Sequence, residues 1–406
     1  MLDITARPPE ASQEAPVAFT GDGGAFLRMM FKGALLQLVT LGFYRFWFLT
    51  NIRRRLWSDT AIDGDAFEYA GRGKELLIGF LFALAILAPF YILYFLAGLE
   101  AERLKAFASF PLFLVFYLFG QFAMFRARRY RLTRTIWRGI RFWMTGSGVK
   151  YALRSFGWAI LATLTLGLLY PWREASLERY KMRNTYYGDL QGRFVGTGWG
   201  LFKKGAWIWL VDILVILVPW ILFAVKLANA GAAHSDDDPV SGTAFADVKG
   251  WIILGSISPV VAVLLWPVYQ AIEWKWWLDG LRIGEVRVSS RLSRSTIFGL
   301  YLGLFGVLIV LGLCAALFIG LPMAMFGGAS DGPPIGLLVY FAFVYIAALL
   351  VVGAFFRYFL QFRLWAAVMR SLTVYDLAAA ANVQARGEAA NALGEGLADG
   401  LDVAGF

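Results

Sequence analysis

Three charged side chains lie within or beside long apolar stretches of this sequence: Arg45, Asp212 and Glu273. An ionised group inside a bilayer is costly, so such residues often mark ion or proton paths. Asp212 lies six residues into an apolar run, and one interpretation places it on such a path. The other interpretation is that Lys203 or Lys204, just upstream, pairs with it near the membrane surface.

Arg45 and Glu273 each allow two interpretations. Arg45, close to Trp47, either contacts an anion or lipid headgroup or extends to the headgroups while stacking on aromatic rings. We favour the second, because the similar segment at 163–172 has Tyr170 at the matching position. Glu273 precedes Lys275 by two residues, so it belongs either to an intramembrane polar site or to a charge pair in a belt of tryptophans.

Four arginines recur at helical spacing in the stretch "RYRLTRTIWRGIRFW": Arg131, Arg134, Arg138 and Arg141. An apolar stripe runs beside them, so the pattern predicts a basic amphipathic helix. Such helices lie on anionic leaflets, where each basic residue contributes roughly 1 kcal/mol. The helix would contact anionic lipid or anchor the orientation of the chain, and the two roles are compatible.

Residues for other kinds of chemistry are scarce. The chain has one cysteine, Cys314, and one histidine, His234, so a zinc site of histidine and cysteine ligands is not expected. No nucleophile elbow, P-loop or HExxH motif occurs. We therefore predict no catalytic residue, no metal and no cofactor, and a protein that is not an enzyme.

The elements that must position the charged residues are long and apolar. The chain has 406 residues, of which 59% are hydrophobic and 16% charged. Soluble domains keep about a quarter of their residues charged, so the composition predicts a membrane protein with several spans. Six runs have about the length of a transmembrane helix: Leu76–Gly98, Phe107–Phe125, Ala206–Val225, Trp251–Ile272, Ile297–Phe326 and Ile335–Phe356.

The six runs form three hairpins whose short connections contain almost no lysine or arginine. Basic residues instead crowd the other loops, as in Arg53 to Arg55. By the positive-inside rule these loops and both termini are cytoplasmic. The net charge of +10 is thus better explained by topology and anionic lipid than by nucleic acid.

A decamer occurs twice, as "LVTLGFYRFW" at 38–47 and "TLTLGLLYPW" at 163–172. Its Thr-Leu-Gly begins at Thr40 and again 125 residues later at Thr165. Basic clusters flank both decamer segments, so we expect each segment to re-enter the cytoplasmic face or lie in the interface. The alternative is that both span, giving eight full spans. Re-entry makes the two copies parallel repeats, which we favour over inverted ones.

Three loops share a Gly-acid turn beside alternating apolar residues, at 57–71, 182–198 and 278–290. This pattern is typical of a turn and a short strand, so the loops either form a small cytoplasmic sheet or are irregular. The predicted class is therefore all-α with possible small β elements. The predicted regions are a tail (1–19), repeat unit A (20–145), repeat unit B (146–296), a third hairpin (297–372) and a C-terminal tail (373–406).

Several long motifs resemble the YjgN-like family of bacterial inner-membrane proteins, a domain of unknown function. They are "TLGFYRFW", "RRRLWSDT", "GDAFEYAGRGKELLIGF", "RYRLTRTIWRGIRF" and "TLGLLYPWREASLERYKMRNTYYGD". The resemblance covers the chain from Phe19 to Leu372. It implies a multi-pass inner-membrane protein, and it supplies no substrate, cofactor or catalytic residue.

Two functions remain open on these patterns. Repeats, glycine-broken segments and Asp212 favour a transporter or channel for a small solute or lipid. Sparse buried charge and many interfacial aromatic residues favour the alternative, a membrane scaffold or lipid-binding envelope protein. The expected partners are membrane lipids with anionic headgroups on the cytoplasmic face.

Overall fold

The computed structural model describes residues 14–100, 102–232, 242–326 and 334–387. Most of both predicted tails, and the loop containing His234, lie outside these ranges. The strands are β1 (Ala15–Phe19), β2 (Thr60–Ile62), β3 (Asp65–Tyr69), β4 (Thr135–Trp137), β5 (Ile140–Met144), β6 (Thr185–Tyr187), β7 (Leu190–Phe194), β8 (Leu281–Ile283), β9 (Val286–Ser290) and β10 (Leu372–Tyr375).

The helices alternate with pairs of strands along the chain. They are α1 (Gly23–Val39), α2 (Arg45–Ser58), α3 (Gly73–Glu100), α4 (Glu102–Thr133), α5 (Gly148–Leu164), α6 (Tyr170–Arg183), α7 (Gly198–Ala232), α8 (Gly242–Gly280), α9 (Arg294–Phe326), α10 (Ile335–Arg357) and α11 (Leu364–Met369). A π-helix, Tyr358–Arg363, joins α10 to α11, and a 3-10 turn, Leu377–Ala380, follows β10.

The strands close into one antiparallel barrel, in which each strand pairs with the next in sequence and β10 pairs with β1. Two-residue turns join the pairs β2–β3, β4–β5, β6–β7 and β8–β9. Asp63-Gly64 and Arg138-Gly139 have positive φ at both positions, which is the geometry of type I′ hairpin turns. Closure pairs both edges of every one of these strands.

The interior of the barrel is filled with apolar side chains. Residues alternate between the two faces of each strand, so Val17, Trp137, Tyr187 and Val374 meet inside. Leu377, from the segment after β10, packs into the same core. The barrel is therefore a packed core rather than a channel.

Each helical hairpin leaves and rejoins the same rim of the barrel. The paired strand ends Phe19 and Thr60, and likewise Met144 and Thr185, lie at this rim, whereas the β-turns lie at the other. Consequently α1–α4 and α5–α8 run in the same direction, which is the parallel arrangement that we favoured from the sequence. Both ends of the described chain also lie at the barrel.

The predicted all-α class with six full spans, or eight, is wrong. Among the described residues, the helices long and apolar enough to cross a membrane are four: Gly73–Leu96, Gly198–Leu222, Arg294–Ala324 and Ile335–Met369. These four helices indicate a membrane protein. The runs predicted as further spans in α4 and α8 are not among them, and the barrel is an element that an all-α class excludes.

The two Thr-Leu-Gly elements are the turns of short helical hairpins. Leu41 and Gly42 have φ of 49° and 90°, and Leu166 and Gly167 have φ of 50° and 85°. The Gly42 N–H donates to the Gln37 carbonyl oxygen over 2.7 Å, as Gly167 does to Ala162. This is the Schellman helix end, which reverses the chain through a left-handed residue.

Two further expectations meet the structure here. The three loops with Gly-acid turns do form hairpins, β2–β3, β6–β7 and β8–β9, but within the larger barrel. The predicted amphipathic helix is wrong beyond Thr133, where α4 ends and β4–β5 begin. The Arg138-Gly139 turn forces the reversal, and Ile140, Phe142 and Met144 then alternate as a strand.

The terminal strands also differ from the predicted regions. Ala15–Phe19 fall in the predicted N-terminal tail but form β1, and β10 extends into the predicted C-terminal tail. Each of these strands completes its hydrogen bonding with the other, from opposite ends of the chain. No local pattern signals such a pairing, because the partners are more than 350 residues apart in sequence.

Candidate functional site

Helix α6 carries a charged face into the interior of unit B. Pro171 lies in its first turn, where a fixed φ favours helix initiation. Glu174, Glu178 and Lys181 follow at spacings of four and three residues, which place them on one side of the helix. That side faces α4, α5 and α8, so the charges are removed from water.

Glu178 is held as an anion by two cations. The Arg128 Nη1 on α4 donates to its Oε2 over 3.3 Å, and the Lys181 ammonium forms an ion pair with its Oε1. Burial alone would raise the pKa of Glu178, but Lys181 and Arg128 outweigh it and hold the pKa below its usual range. Glu178 is thus a fixed negative charge at neutral pH.

Glu273 on α8 is in the opposite situation. Its Oε1 accepts a hydrogen bond of 2.9 Å from the Tyr170 hydroxyl. Burial, and then the nearby charge of Glu174, raise the pKa of Glu273 to about 7, although the Tyr170 hydrogen bond opposes the rise. Glu273 therefore exchanges a proton near neutral pH.

Glu174 completes the group that we call the carboxylate cluster: Tyr170, Glu174, Glu178 and Glu273. The Arg173 Nη1 lies 3.0 Å from the Glu174 Oε1. Burial raises the pKa of Glu174, while the charges of Arg173 and Lys181 oppose the rise. Neighbouring carboxyl groups whose pKa values are pushed apart are typical of sites that store and release a proton.

Asp212 lies on α7, within the candidate span Gly198–Leu222. Its Oδ1 is buried and has no hydrogen-bond partner among the described residues. The predicted lysine pairing does not form there, and the Lys203 ammonium instead lies 5.4 Å from the centre of the Trp199 ring. One turn before Asp212, the Trp209 indole donates to the Leu166 carbonyl oxygen over 2.9 Å, at the second Thr-Leu-Gly turn.

Arg45 lies at the start of α2 among aromatic rings. Its guanidinium lies 5.1 Å from the ring centre of Phe46 and 5.4 Å from that of Phe80. This geometry is that of the aromatic stacking we favoured from the sequence. Arg45 lies on α2, Asp212 on α7 and Glu273 on α8, and the role of each in an intramembrane polar site stays a prediction.

Of the four arginines predicted as a lipid-facing stripe, Arg134, Arg138 and Arg141 form hydrogen bonds at the barrel or its rim. Arg134 Nε donates to Glu75 Oε2 over 3.0 Å, and Arg138 Nη2 does so to Asp63 Oδ2 over 3.0 Å. Arg141 donates to the Thr133 carbonyl oxygen, and Arg131 lies in the last turn of α4. Their contact with anionic lipid stays a prediction.

Sequence reasoning missed Tyr170, Glu174 and Glu178. One signal was available, since unit A has Leu49 where unit B has Glu174, a hydrophobic position changed to a charge. Within the described ranges, no group of three or more histidine, cysteine, aspartate or glutamate residues is placed to hold a metal ion.

A family model described as "Bacterial protein of unknown function (DUF898)" matches residues 14–400. The match spans both repeat units and every described strand of the barrel. No curated protein and no solved structure matches the chain.

Proposed function

The chain belongs to the DUF898 family of bacterial proteins of unknown function, and we propose that it is a transporter or channel-like protein for a small solute or lipid. The observation that carries this proposal is the carboxylate cluster. Buried ionisable groups in membrane proteins are rare and mark ion and proton paths. Here Glu273 and Glu174 lie where α6, from a short hairpin, meets α8, from a long one.

Proton exchange at Glu273 is the proposed coupling event. When Glu273 is ionised, it lies close enough to Glu174 to repel an ionised Glu174 carboxylate. A proton on Glu273 removes that repulsion and leaves Glu178 as the charge held by Arg128 and Lys181. We propose that this change shifts α6 against α8 and moves the second Thr-Leu-Gly turn, which contacts α7 through Trp209.

The proposed orientation places the barrel in the cytoplasm of a bacterial cell, with the helices in the inner membrane. The arginine-rich stretches lie at the barrel or on the helix ends next to it, so the positive-inside rule assigns this side to the cytoplasm. Both termini are then cytoplasmic. Anionic headgroups on this face are the proposed lipid partners, and we propose neither an enzymatic activity nor binding to nucleic acid.

The scaffold or lipid-binding alternative is supported by a different observation. The barrel is filled, and ion pairs such as Arg138–Asp63 fasten its turns, which suits a static platform under the membrane. We also propose that the chain belongs to the YjgN-like proteins, on the shared motifs from "TLGFYRFW" onward. Neither point depends on whether Glu273 moves a proton.

Two experiments test the transport proposal. An untargeted comparison of solutes and lipids between deletion and overexpressing cells would identify the transported molecule. The variants Glu273→Gln and Asp212→Asn are then compared in the same cells, with Glu14→Gln, on an exposed carboxylate beside the barrel, as the control.

Overexpressing cells should differ from deletion cells in the level of the transported molecule. We expect Glu273→Gln to return that level to the one seen in deletion cells, and Glu14→Gln to leave it as in cells with the wild-type protein. Wild-type accumulation ratios in Glu273→Gln cells would contradict transport through the carboxylate cluster, and wild-type ratios in Asp212→Asn cells would remove Asp212 from the path. A phenotype that is lost in the deletion strain but indifferent to both variants would support the scaffold instead.

A further inference from the structure

A groove lies between α1 and α10. In the short hairpin of α1 and α2, α1 lines this groove, whereas α2 packs against α3. The volume of the groove is about 310 Å³. Most of its lining is apolar and includes Leu38, Ile346, Leu349 and Gly353, whereas Gln37 and Arg357 supply polar groups. The groove is separate from the carboxylate cluster, so a ligand bound in it would not depend on whether the protein transports anything.

Arg357 is the last residue of α10 and is held in a defined position. Its Nη1 donates to the Gln37 Oε1 over 3.3 Å, and its guanidinium lies 5.2 Å from the ring centre of Phe48. Gly33 on α1 makes room for that ring, because a Cβ there would overlap a Phe48 ring carbon. The π-helix Tyr358–Arg363 starts directly after Arg357, and such insertions often occur at functional sites.

The walls of the groove face the surroundings of the protein. Arg357 falls within the candidate span Ile335–Met369, in which Ile346 is 39% and Leu349 is 54% exposed. In a bilayer these side chains contact acyl chains. A molecule that fills this groove must therefore offer an apolar chain to Ile346 and Leu349 and an anionic group to Arg357.

We propose that the α1–α10 groove binds an anionic phospholipid, with an acyl chain along Leu38, Ile346 and Leu349 and the phosphate on Arg357. The guanidinium provides several N–H donors in a fork that suits phosphate oxygens. The surrounding membrane supplies the ligand. Arg357 then recognises the charge of the lipid, and the apolar residues recognise its acyl chain. Separate substitutions can therefore remove each contribution.

The test titrates phosphatidylglycerol or zwitterionic phosphatidylcholine into the purified full-length protein in detergent micelles and counts the bound lipid by native mass spectrometry. Arg357→Gln removes the charge, and Gly353→Leu fills the groove. A Cβ at Gly353 meets no atom within 4 Å, so a side chain can leave this backbone position without a clash at its first atom. Gly312→Leu on α9, at another glycine with nothing within 4 Å, is the matched control.

We expect Arg357→Gln to weaken phosphatidylglycerol binding about tenfold, which is about 1.4 kcal/mol, while phosphatidylcholine binding changes little, since only the charged hydrogen bond is lost. Gly353→Leu should weaken both lipids about tenfold, and Gly312→Leu neither. Unchanged phosphatidylglycerol binding in Gly353→Leu would overturn the proposal, even if Arg357→Gln fails to fold. Equal losses of both lipids in a folded Arg357→Gln, or competition by inorganic phosphate alone at equal concentration, would do so as well.

Discussion

Units A and B share a backbone plan but differ in what they bury. In both, a Thr-Leu-Gly turn reverses the short hairpin, with the Thr40 and Thr165 hydroxyls donating to carbonyl oxygens four residues earlier. In both, the glycine that opens the next helix, Gly73 or Gly198, lies against the backbone of a tryptophan. These repeated residues are the ones that specify turns and close approaches.

The interiors show the opposite trend. The face of α2 that carries Ile52 and Leu56 packs into an apolar core with Phe26 and Phe362. At the 125-residue offset, Glu174, Glu178 and Lys181 of α6 match Leu49, the buried Arg53 and Leu56 of α2. Ala127 on α4 lies eight residues before β4, and Glu273 on α8 lies eight residues before β8. The position that holds a buried alanine in α4 therefore holds a carboxylate in α8. The shared geometry thus accommodates carboxylates in unit B where unit A has leucine, arginine or alanine, so we expect function to follow the carboxylates of unit B.

The largest expected effect comes from Glu178→Ala. This change leaves the half-buried Arg128 and Lys181 without their carboxylate, and breaking a fully buried ion pair costs about 3–5 kcal/mol, which sets the upper limit of the loss. Chemical denaturation of the purified protein at pH 7 would measure the loss. Ile52→Ala in the apolar interior of unit A is the comparison, at about 2–5 kcal/mol without charge dependence.

The loss from unpaired charge in Glu178→Ala can be distinguished from the loss of apolar packing in Ile52→Ala by removing the charges. Replacing both cations together, as Arg128→Met with Lys181→Met in the Glu178→Ala background, should recover much of the stability, since no unpaired charge is left. A Glu178→Ala protein as stable as the wild type would mean that the charges in unit B are solvated, contrary to their burial between α4, α6 and α8.

The next effect concerns pH. Because the folded-state pKa of Glu273, about 7, lies above the usual value of 4.5, the folded protein binds the proton more tightly than the unfolded chain. The stability from Glu273 is full below pH 4.5 and is lost as pH rises to about 7, by up to about 3 kcal/mol. Glu273→Gln should remove this loss and raise the unfolding free energy at pH 8.

Glu178 provides an internal check on the direction in which stability changes with pH. Its pKa is lowered on folding, so its contribution is present above pH 4.5 and lost as pH falls below that value. Unfolding curves between pH 3 and 9 distinguish the two windows. If the unfolding free energy of Glu273→Gln still fell between pH 5 and 7 as in the wild type, the pH-dependent loss of stability could not be assigned to Glu273.

A smaller effect is expected at the shared scaffold. A Cβ at Gly73 or Gly198 would lie 2.9 or 2.7 Å from the Cα of Trp47 or Trp172. Each alanine variant should lose about 1–3 kcal/mol from overpacking, by similar amounts in the two units. Gly157→Ala on α5, where a Cβ meets nothing within 4 Å, should instead leave stability unchanged or raise it slightly.

The smallest effect is expected for Tyr170→Phe. The change removes the 2.9 Å hydrogen bond to Glu273 and should cost about 1 kcal/mol above pH 7. Because that hydrogen bond lowers the pKa of Glu273, its loss should raise that pKa further. Carboxyl infrared difference spectra would follow the titration, and an unshifted Glu273 band would remove Tyr170 from the cluster.

The class of the protein and its local turns were accessible from sequence because they depend on neighbouring residues. Apolar length indicated a membrane protein, the twofold Thr-Leu-Gly indicated a break, and the Gly-acid turns indicated hairpins. The direction of the repeats followed from the arginine distribution. Each of these signals lies within about twenty residues of the element that it describes.

Barrel closure and the carboxylate cluster were decided by contacts between distant parts of the chain. β1 meets β10 across almost the whole length of the sequence, and Tyr170 meets Glu273 across 103 residues. The arginines from Arg131 to Arg141 had helical spacing, yet strand pairing with β3 and β6 outweighed it. Local spacing states which conformations a segment tolerates, whereas burial and pairing with remote partners select one of them.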